Sequence, residues 1–162
     1  MIRPAKREDM GAIAAVYEAA RKYMRDNGNT AQWGDSYPDA EISENDYVCG
    51  NLYVCVENGA IFGVFAFIVG EEPTYARIDN GSWGASGPYG TIHRLASNGT
   101  VGGVFSRCFE FCVNRIGEIR IDTHEDNRIM RRLISEHGFE ERGTIYVRDG
   151  SPRIAYQYPP EG

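Results

Sequence analysis

The sequence predicts a single-domain α/β protein, of the α+β kind with a mixed sheet, on three observations. Apolar residues recur every three or four positions over residues 7–27, two strand-forming runs flank Asn58-Gly59, and a strand, helix, strand unit fills residues 90–123. At 162 residues, 42% hydrophobic and 25% charged, the chain can bury one core without a metal or disulfide staple. The expectation is one domain over residues 1–162.

The first helix places Met10, Ile13, Ala14, Tyr17, Ala20 and Met24 on its apolar face and ends at Asn27-Gly28-Asn29, where glycine caps it. A loop, NTAQWGDSYPDA over 29–40, leads to a shorter helix over 43–49 with Ser43 as its cap. Residues 52–56 and 61–69 form an antiparallel hairpin, because Asn-Gly accepts the positive φ angles of a tight turn. Residues 71–89 are of unassigned conformation: YARID could extend a strand, while NGSWGASGPYG reads as a mobile Gly-rich insertion. A strand over 90–96 and one over 119–123 flank a helix whose face carries Val104, Phe105, Cys108, Phe109, Cys112 and Ile116; so long a connection implies a parallel crossover. A fourth helix over 127–136 turns Met130, Leu133 and Ile134 inward and stops at His137-Gly138. Strands over 139–147 and 154–158, joined by DGSP, follow.

Composition narrows the function classes. Cys49, Cys55, Cys108 and Cys112 form no CxxC pair, so they read as reduced core thiols with no metal among them. No apolar run approaches the roughly 18 residues that span a bilayer, and MIRPAKREDM lacks the apolar centre of a signal peptide, which gives a cytoplasmic expectation. Net charge is −6, and the arginines are scattered apart from Arg131-Arg132, so neither nucleic acid nor a membrane is expected as partner.

The informative junction is Ser97-Asn98-Gly99-Thr100-Val101-Gly102-Gly103, between a predicted strand and a helix start. Backbone N–H groups at a helix start are unpaired and the dipole there favours anions, so glycines that admit a phosphate make a cradle. A Gly-rich strand-to-helix turn is also an ordinary connection. No lysine follows Gly103, so there is no ATP-type loop, and no GxGxxG follows the first strand, which excludes the dinucleotide pattern.

At this point the residues resemble the GNAT superfamily of acyl-CoA-dependent N-acetyltransferases over essentially the whole chain. The match is carried by IRPAKREDMGAIAAVYEAAR, by NGTVGG after GTIHRLAS, and by IRIDTHEDNRIMRRLISEHGFEERGTIYV with its Asn127 and its Gly138-Phe139. Two departures lie in the loop, where Asn98 replaces the usual Gln or Arg and Val101 the usual first glycine. A third is Ile134, where many members carry the tyrosine that serves as acid for the leaving thiolate.

The resemblance implies a GNAT-like splayed, mostly antiparallel sheet of about six to seven strands flanked by about four helices, with acetyl-CoA as co-substrate and no metal. It also implies transfer of an acetyl group to an amine by direct attack on the thioester. The Leu95 N–H is then the oxyanion donor; Leu95, Ser97, Asn98, Gly99, Thr100, Val101, Gly102, Gly103 and Val104 hold the cofactor, together with Asn127. An amine of pKa about 10.4 must lose a proton before it attacks, and His93, Asp122, His124 and, less so, Glu125 flank the two splayed strands as candidate bases. Each has a structural alternative: a satisfied half-buried histidine for His93, a salt bridge with Arg94 or Arg120 for Asp122, a loop ornament for His124. Trp33 and Tyr37 are the candidate acceptor wall, where aromatic faces hold an ammonium, with core or lid as the plain reading of Trp33; Trp83, in the Gly-rich insertion, is the candidate substrate residue that closes over the ligand as a gate. The acceptor is a small-molecule or protein amine of unread identity, and self-association as a homodimer stays open. The alternative function is a non-catalytic acyl-CoA-binding or sensing module, kept alive by Ile134 and Val101.

Overall fold

The computed structural model describes residues 1–84 and 87–160; Ala85 and Ser86, inside the predicted Gly-rich insertion, lie outside the described residues. Strands β1 (Ile2–Pro4), β2 (Leu52–Glu57), β3 (Ala60–Val69), β4 (Gly90–Ser97), β5 (Ile119–Thr123), β6 (Glu140–Tyr146) and β7 (Pro152–Tyr158) form one mixed, mostly antiparallel open sheet in the order β1-β2-β3-β4-β5-β7-β6. Four helices accompany it: α1 (Met10–Asp26), α2 (Ala40–Val48), α3 (Val104–Val113) and α4 (Arg128–Glu136). The chain divides into two compact units, Met1–Phe67 with His93–Phe111, and Ile68–Ile92 with the residues from Cys112 onward.

In the first unit, α1 buries Ile13, Val16, Tyr17 and Ala20 against Trp33, Leu52, Val54, Val64 and Ala96. Val16, rather than the expected Ala14, faces this core, and Ala14 is exposed. The hairpin of β2 and β3 turns at Asn58 (φ 52) and Gly59 (φ 78), the paired positive angles that the Asn-Gly signal anticipates. Helix α2 begins earlier than expected: Asp39 caps it, its Oδ1 accepting from the Ile42 N–H at 3.0 Å, and Ser43 is buried within it. Cys49, expected in the core, is an exposed C-cap, whereas Cys55, Cys108 and Cys112 are buried; all four are free thiols.

In the second unit, β5 pairs antiparallel with β7, and β7 with β6. The segment before β4 is docked rather than loose. Asp79 exchanges both backbone hydrogen bonds with Thr144 of the edge strand β6, at 2.9 and 2.8 Å. Gly81 lies so close to β6 that a Cβ there would meet the Arg142 carbonyl oxygen at 1.9 Å. The Trp83 indole N–H donates to the Tyr75 carbonyl at 2.9 Å, and the Gly84 N–H to Gln157 Oε1 at 2.8 Å. These contacts join residues far apart in sequence through backbone groups, which no local pattern announces. Helix α4 is capped by Asn127, whose Oδ1 accepts from the Met130 N–H, and it stops at Gly138 (φ 88).

Candidate functional site

Strand β4 is buried at Gly90, Thr91 and Ile92, then half-buried at His93, Arg94 and Leu95. Its parallel pairing with β5 covers Gly90↔Ile119 and Thr91↔Arg120. Arg94 sits at φ 52, in the left-handed region that costs an ordinary L-residue about 1–2 kcal/mol. Simple alternation of side chains therefore does not carry from His93 across to Leu95.

Four hydrogen bonds hold this backbone kink. The Tyr17 hydroxyl donates to the Arg94 carbonyl at 3.0 Å. The Arg94 guanidinium donates from Nε and Nη2 to the two oxygens of Asp46, at 2.8 and 2.7 Å, and from Nη1 to the Tyr37 hydroxyl at 3.1 Å. Burial works against the Arg94 charge, but the hydrogen bonds and charges of Asp46 and Tyr37 outweigh it and hold the group above its ordinary value. Burial also pushes the Tyr17 phenol up, so it stays protonated and remains a donor.

Beyond the kink the chain enters the Gly-rich loop. The Asn98 N–H donates to the Phe62 carbonyl at 3.1 Å, Ser97 Oγ accepts from the Gly99 N–H at 3.0 Å, and Asn98 Oδ1 accepts from the Thr100 N–H at 3.0 Å and its hydroxyl at 2.7 Å. Three of the expected phosphate donors are thus engaged by the protein itself. The N–H groups of Val101, Gly102, Gly103 and Val104 have no protein acceptor among the described residues, and they open the first turn of α3. Gly99 (φ 81) and Gly103 (φ 77) take backbone angles that favour glycine, and a Cβ on either would meet nothing within 4 Å. A pyrophosphate fits such a donor set, since it offers charge and lone pairs to N–H groups that nothing else satisfies.

In the second unit, Asp122 on β5 accepts the Tyr75 hydroxyl at 2.7 Å. Neither anticipated salt bridge forms: Arg94 takes Asp46, and Arg120 donates to Glu118 at 2.8 Å with its guanidinium 4.4 Å from the Trp83 ring and 3.9 Å from the Tyr89 ring. Burial first, and the Asp122 charge second, push the Tyr75 phenol well above its ordinary value, so Tyr75 is the donor of the pair. His124 Nδ1 accepts from the Asp126 N–H at 3.0 Å, and the Asp126 carboxylate lies 3.6 Å from the same nitrogen. Asn127 spends its side-chain oxygen on the α4 cap, where it accepts from the Met130 N–H. Ile134 is fully buried.

The aromatic candidates separate. Trp33 is 8% exposed and packs edge-on to Tyr17 and Tyr37, with ring centroids 5.7 and 6.2 Å away; Tyr37 is 38% exposed. Trp83 is half-buried on Tyr75 and Arg120. Sequence reasoning missed Asp46 and Tyr75 and read Tyr17 as core alone. An acid inside a short helix was the one available hint for Asp46, and nothing marked Tyr75. Among the described residues no group of three or more His, Cys, Asp or Glu side chains is placed to hold a metal, and no helix is long and apolar enough to cross a membrane.

A mixed open sheet whose fourth strand kinks at a left-handed residue and runs into unsatisfied N–H groups at a helix start defines an α+β architecture with a strand-to-helix junction suited to an anion. The chain matches no protein-family profile and no curated protein. Among solved structures it is similar to a GNAT-family acetyltransferase from Streptococcus agalactiae 2603, at 29% identity and a TM-score of 0.85 over 97% of this chain and 93% of that one. It is also similar to a protein assigned as an acetyltransferase from Staphylococcus aureus Mu50, at 25% identity and a TM-score of 0.70 over 97% of both chains. A chain of the NatC complex, solved with Gag peptide and CoA, shares the fold at 14% identity, with a TM-score of 0.67 over 98% of this chain and 97% of that one. The chain has the fold of the GNAT acetyltransferase family.

Proposed function

We propose that the chain acts as a single GNAT-like domain that moves an acetyl group from acetyl-CoA to an amine by direct attack on the thioester. The observation that carries this reading is the run from Arg94 to Val104: a backbone kink pinned by Tyr17 and Asp46, then four N–H groups without a protein acceptor at the start of α3. In this reading Val101, Gly102, Gly103 and Val104 bind the pyrophosphate through their N–H groups, with Ser97, Asn98, Gly99 and Thr100 shaping the loop around it. The Asn127 amide holds the pantetheine arm. The Leu95 N–H, next after the kink, polarises the thioester carbonyl where negative charge develops.

The new bond joins the amine nitrogen to the acetyl carbon, and the carbon–sulfur bond breaks. A thiol of pKa about 8.5 leaves readily as thiolate, so the absence of an acid at Ile134 does not stop transfer. The amine's proton goes to His93 or Asp122, directly or through water. His124 is the weaker candidate for that role, because its Nδ1 is already engaged by the Asp126 N–H. Tyr37, exposed beside Arg94, is the aromatic best placed to meet an acceptor, with the buried Trp33 packed edge-on behind it; Trp83 is half-buried in the second unit. The expected address is the cytoplasm.

Calorimetric titration with acetyl-CoA, with ATP and NADH as controls, tests the reading. Saturable binding of acetyl-CoA alone, followed by thiol release with some member of an amine panel, supports it; no binding of acetyl-CoA overturns it. One observation favours a second reading, a non-catalytic acyl-CoA-binding module: the position of the usual acid is a fully buried isoleucine. Binding without thiol release across the panel would favour that module.

A further inference from the structure

Helix α4 carries a concentration of positive charge that neither the fold nor the proposed chemistry uses. Arg128, Arg131 and Arg132, with Ser135, recur at spacings of three and four and share one helix face. With Glu141 of β6 and Tyr156 of β7 they line a surface cavity of about 280 Å³. Asn127 is the N-cap, so the three arginines occupy the first five helical positions, and the first turn holds no acidic residue. Cations at a helix N-terminus oppose the dipole, and like charges at these spacings repel. The arrangement is unfavourable for the isolated helix, in a chain whose net charge is −6.

The available partners offset it only in part, Glu141 and Glu125 acting on Arg131 through their charge. Arg132 meets Glu136 at 3.3 Å, an exposed pair of little worth. Arg131 is held by neutral oxygens, donating from Nε to the Tyr156 hydroxyl at 3.4 Å and from Nη1 to the Glu125 carbonyl at 3.2 Å. The Arg128 backbone N–H donates to the Asp126 carbonyl, but its guanidinium has no partner among the described residues. The lining thus sets three cations against one carboxylate, Glu141. The Tyr156 oxygen already accepts from Arg131, and its own hydroxyl proton has no acceptor among the described residues.

We propose that this cavity binds a phosphate monoester, gripped by Arg128, Arg131 and Arg132 with the Tyr156 and Ser135 hydroxyls as further donors. Guanidinium forks match phosphate oxygens, and a dianion offsets both the dipole and the mutual repulsion of the arginines. The volume lies just under the roughly 300–1,000 Å³ usual for whole ligands, which suits a phosphate group and its immediate attachment rather than an entire nucleotide. The phosphate comes either from the 3′-phosphate of coenzyme A, a source that rests on the proposed function, or from a phosphorylated acceptor.

The test uses the full chain and its Arg128→Ala/Arg132→Ala variant, whose changed side chains are exposed, with circular dichroism as the check on folding. Inorganic phosphate is titrated first and followed by phosphorus NMR. Saturable binding by the parent chain, weakened by about tenfold or more in the variant, is the expected result. Acetyl-CoA and its 3′-dephospho form are then compared by calorimetry. A preference for acetyl-CoA that the variant loses identifies the coenzyme as the source; phosphate binding without such a preference identifies a phosphorylated acceptor. No phosphate binding, or binding equal in parent and variant, overturns the site. Failure of acetyl-CoA to bind at all overturns the proposed function instead, and the phosphate titration is read independently of it.

Discussion

Arg94 concentrates the chemistry of the first unit in one residue. Its left-handed backbone is held from one side by the Tyr17 hydroxyl and from the other by its own guanidinium on Asp46, a carboxylate with 4% side-chain exposure. Strain of this kind persists where the surroundings over-determine it, and it clusters at functional sites. Arg94→Ala leaves Asp46 buried without its partner and should destabilise the chain by about 3–5 kcal/mol. Arg94→Gly loses the same pair but relieves the backbone, so its denaturation midpoint should fall less than that of the alanine variant. Equal midpoints would remove the strain from the account. For the proposed bases, His93→Ala and Asp122→Asn are expected to cut kcat while leaving acetyl-CoA affinity nearly unchanged; unaltered turnover in both would take them out of the mechanism. Which of these residues were legible follows from what sequence patterns report. Histidines and acids near strand ends are visible as types, whereas the Asp46–Arg94 and Tyr75–Asp122 pairs join side chains 48 and 47 positions apart.

At the scale of elements, period and turn chemistry located most of the strands and helices to within a few residues. Strand β5 falls where its apolar run begins and ends, and α4 starts at the Asn127 cap. The early start of α2 shows how two capping residues four positions apart, Asp39 and Ser43, compete; the one whose side chain accepts from the helix amide wins. The segment before β4 was not legible, because its anchors are a tryptophan on a buried arginine and glycines pressed against another strand. Trp83→Ala should therefore cost about 2 kcal/mol and raise amide exchange over residues 75–84, a structural signature that a free gate would not give. The loop before α3 makes a different prediction. Gly103→Asp places a carboxylate beside the four unsatisfied N–H groups and should weaken acetyl-CoA binding by tenfold or more through charge repulsion, roughly 1.4 kcal/mol. Normal binding by that variant would displace the cradle.

Stability against pH belongs to the whole molecule, and both sides of its profile have named groups. The Arg3 hydrogen bond first, then the Lys6 N–H, hold the Asp9 carboxylate below its ordinary value despite burial. A depressed folded pKa adds stability above the unfolded carboxylate value of about 3.9, and that stability is lost as pH falls through the lower folded value. On the alkaline side, burial raises the Tyr17 and Tyr75 phenols. Their contribution is complete below the unfolded phenol value of about 10 and is lost as pH rises beyond it. Thermal melts across pH 3–11 should show both declines, and Asp9→Asn should flatten the acid one. An unchanged acid limb in that variant would assign it to other carboxylates. The fold class as a whole was readable from composition and element order, since a helical start, a hairpin and a parallel crossover leave few ways to build one sheet.

An open sheet has two outer strands, and each is a row of backbone groups able to template another chain. On β6 that row is interrupted from within: Asp79 occupies Thr144 through both backbone bonds, and Gly81 lies against Arg142 with no room for a side chain. The docked segment is thus a stopper as well as a scaffold. A copy of the chain seeking to extend the sheet finds the middle of this strand already spoken for, so loosening the segment would expose a polymerisation edge at the same moment that it disturbs Trp83.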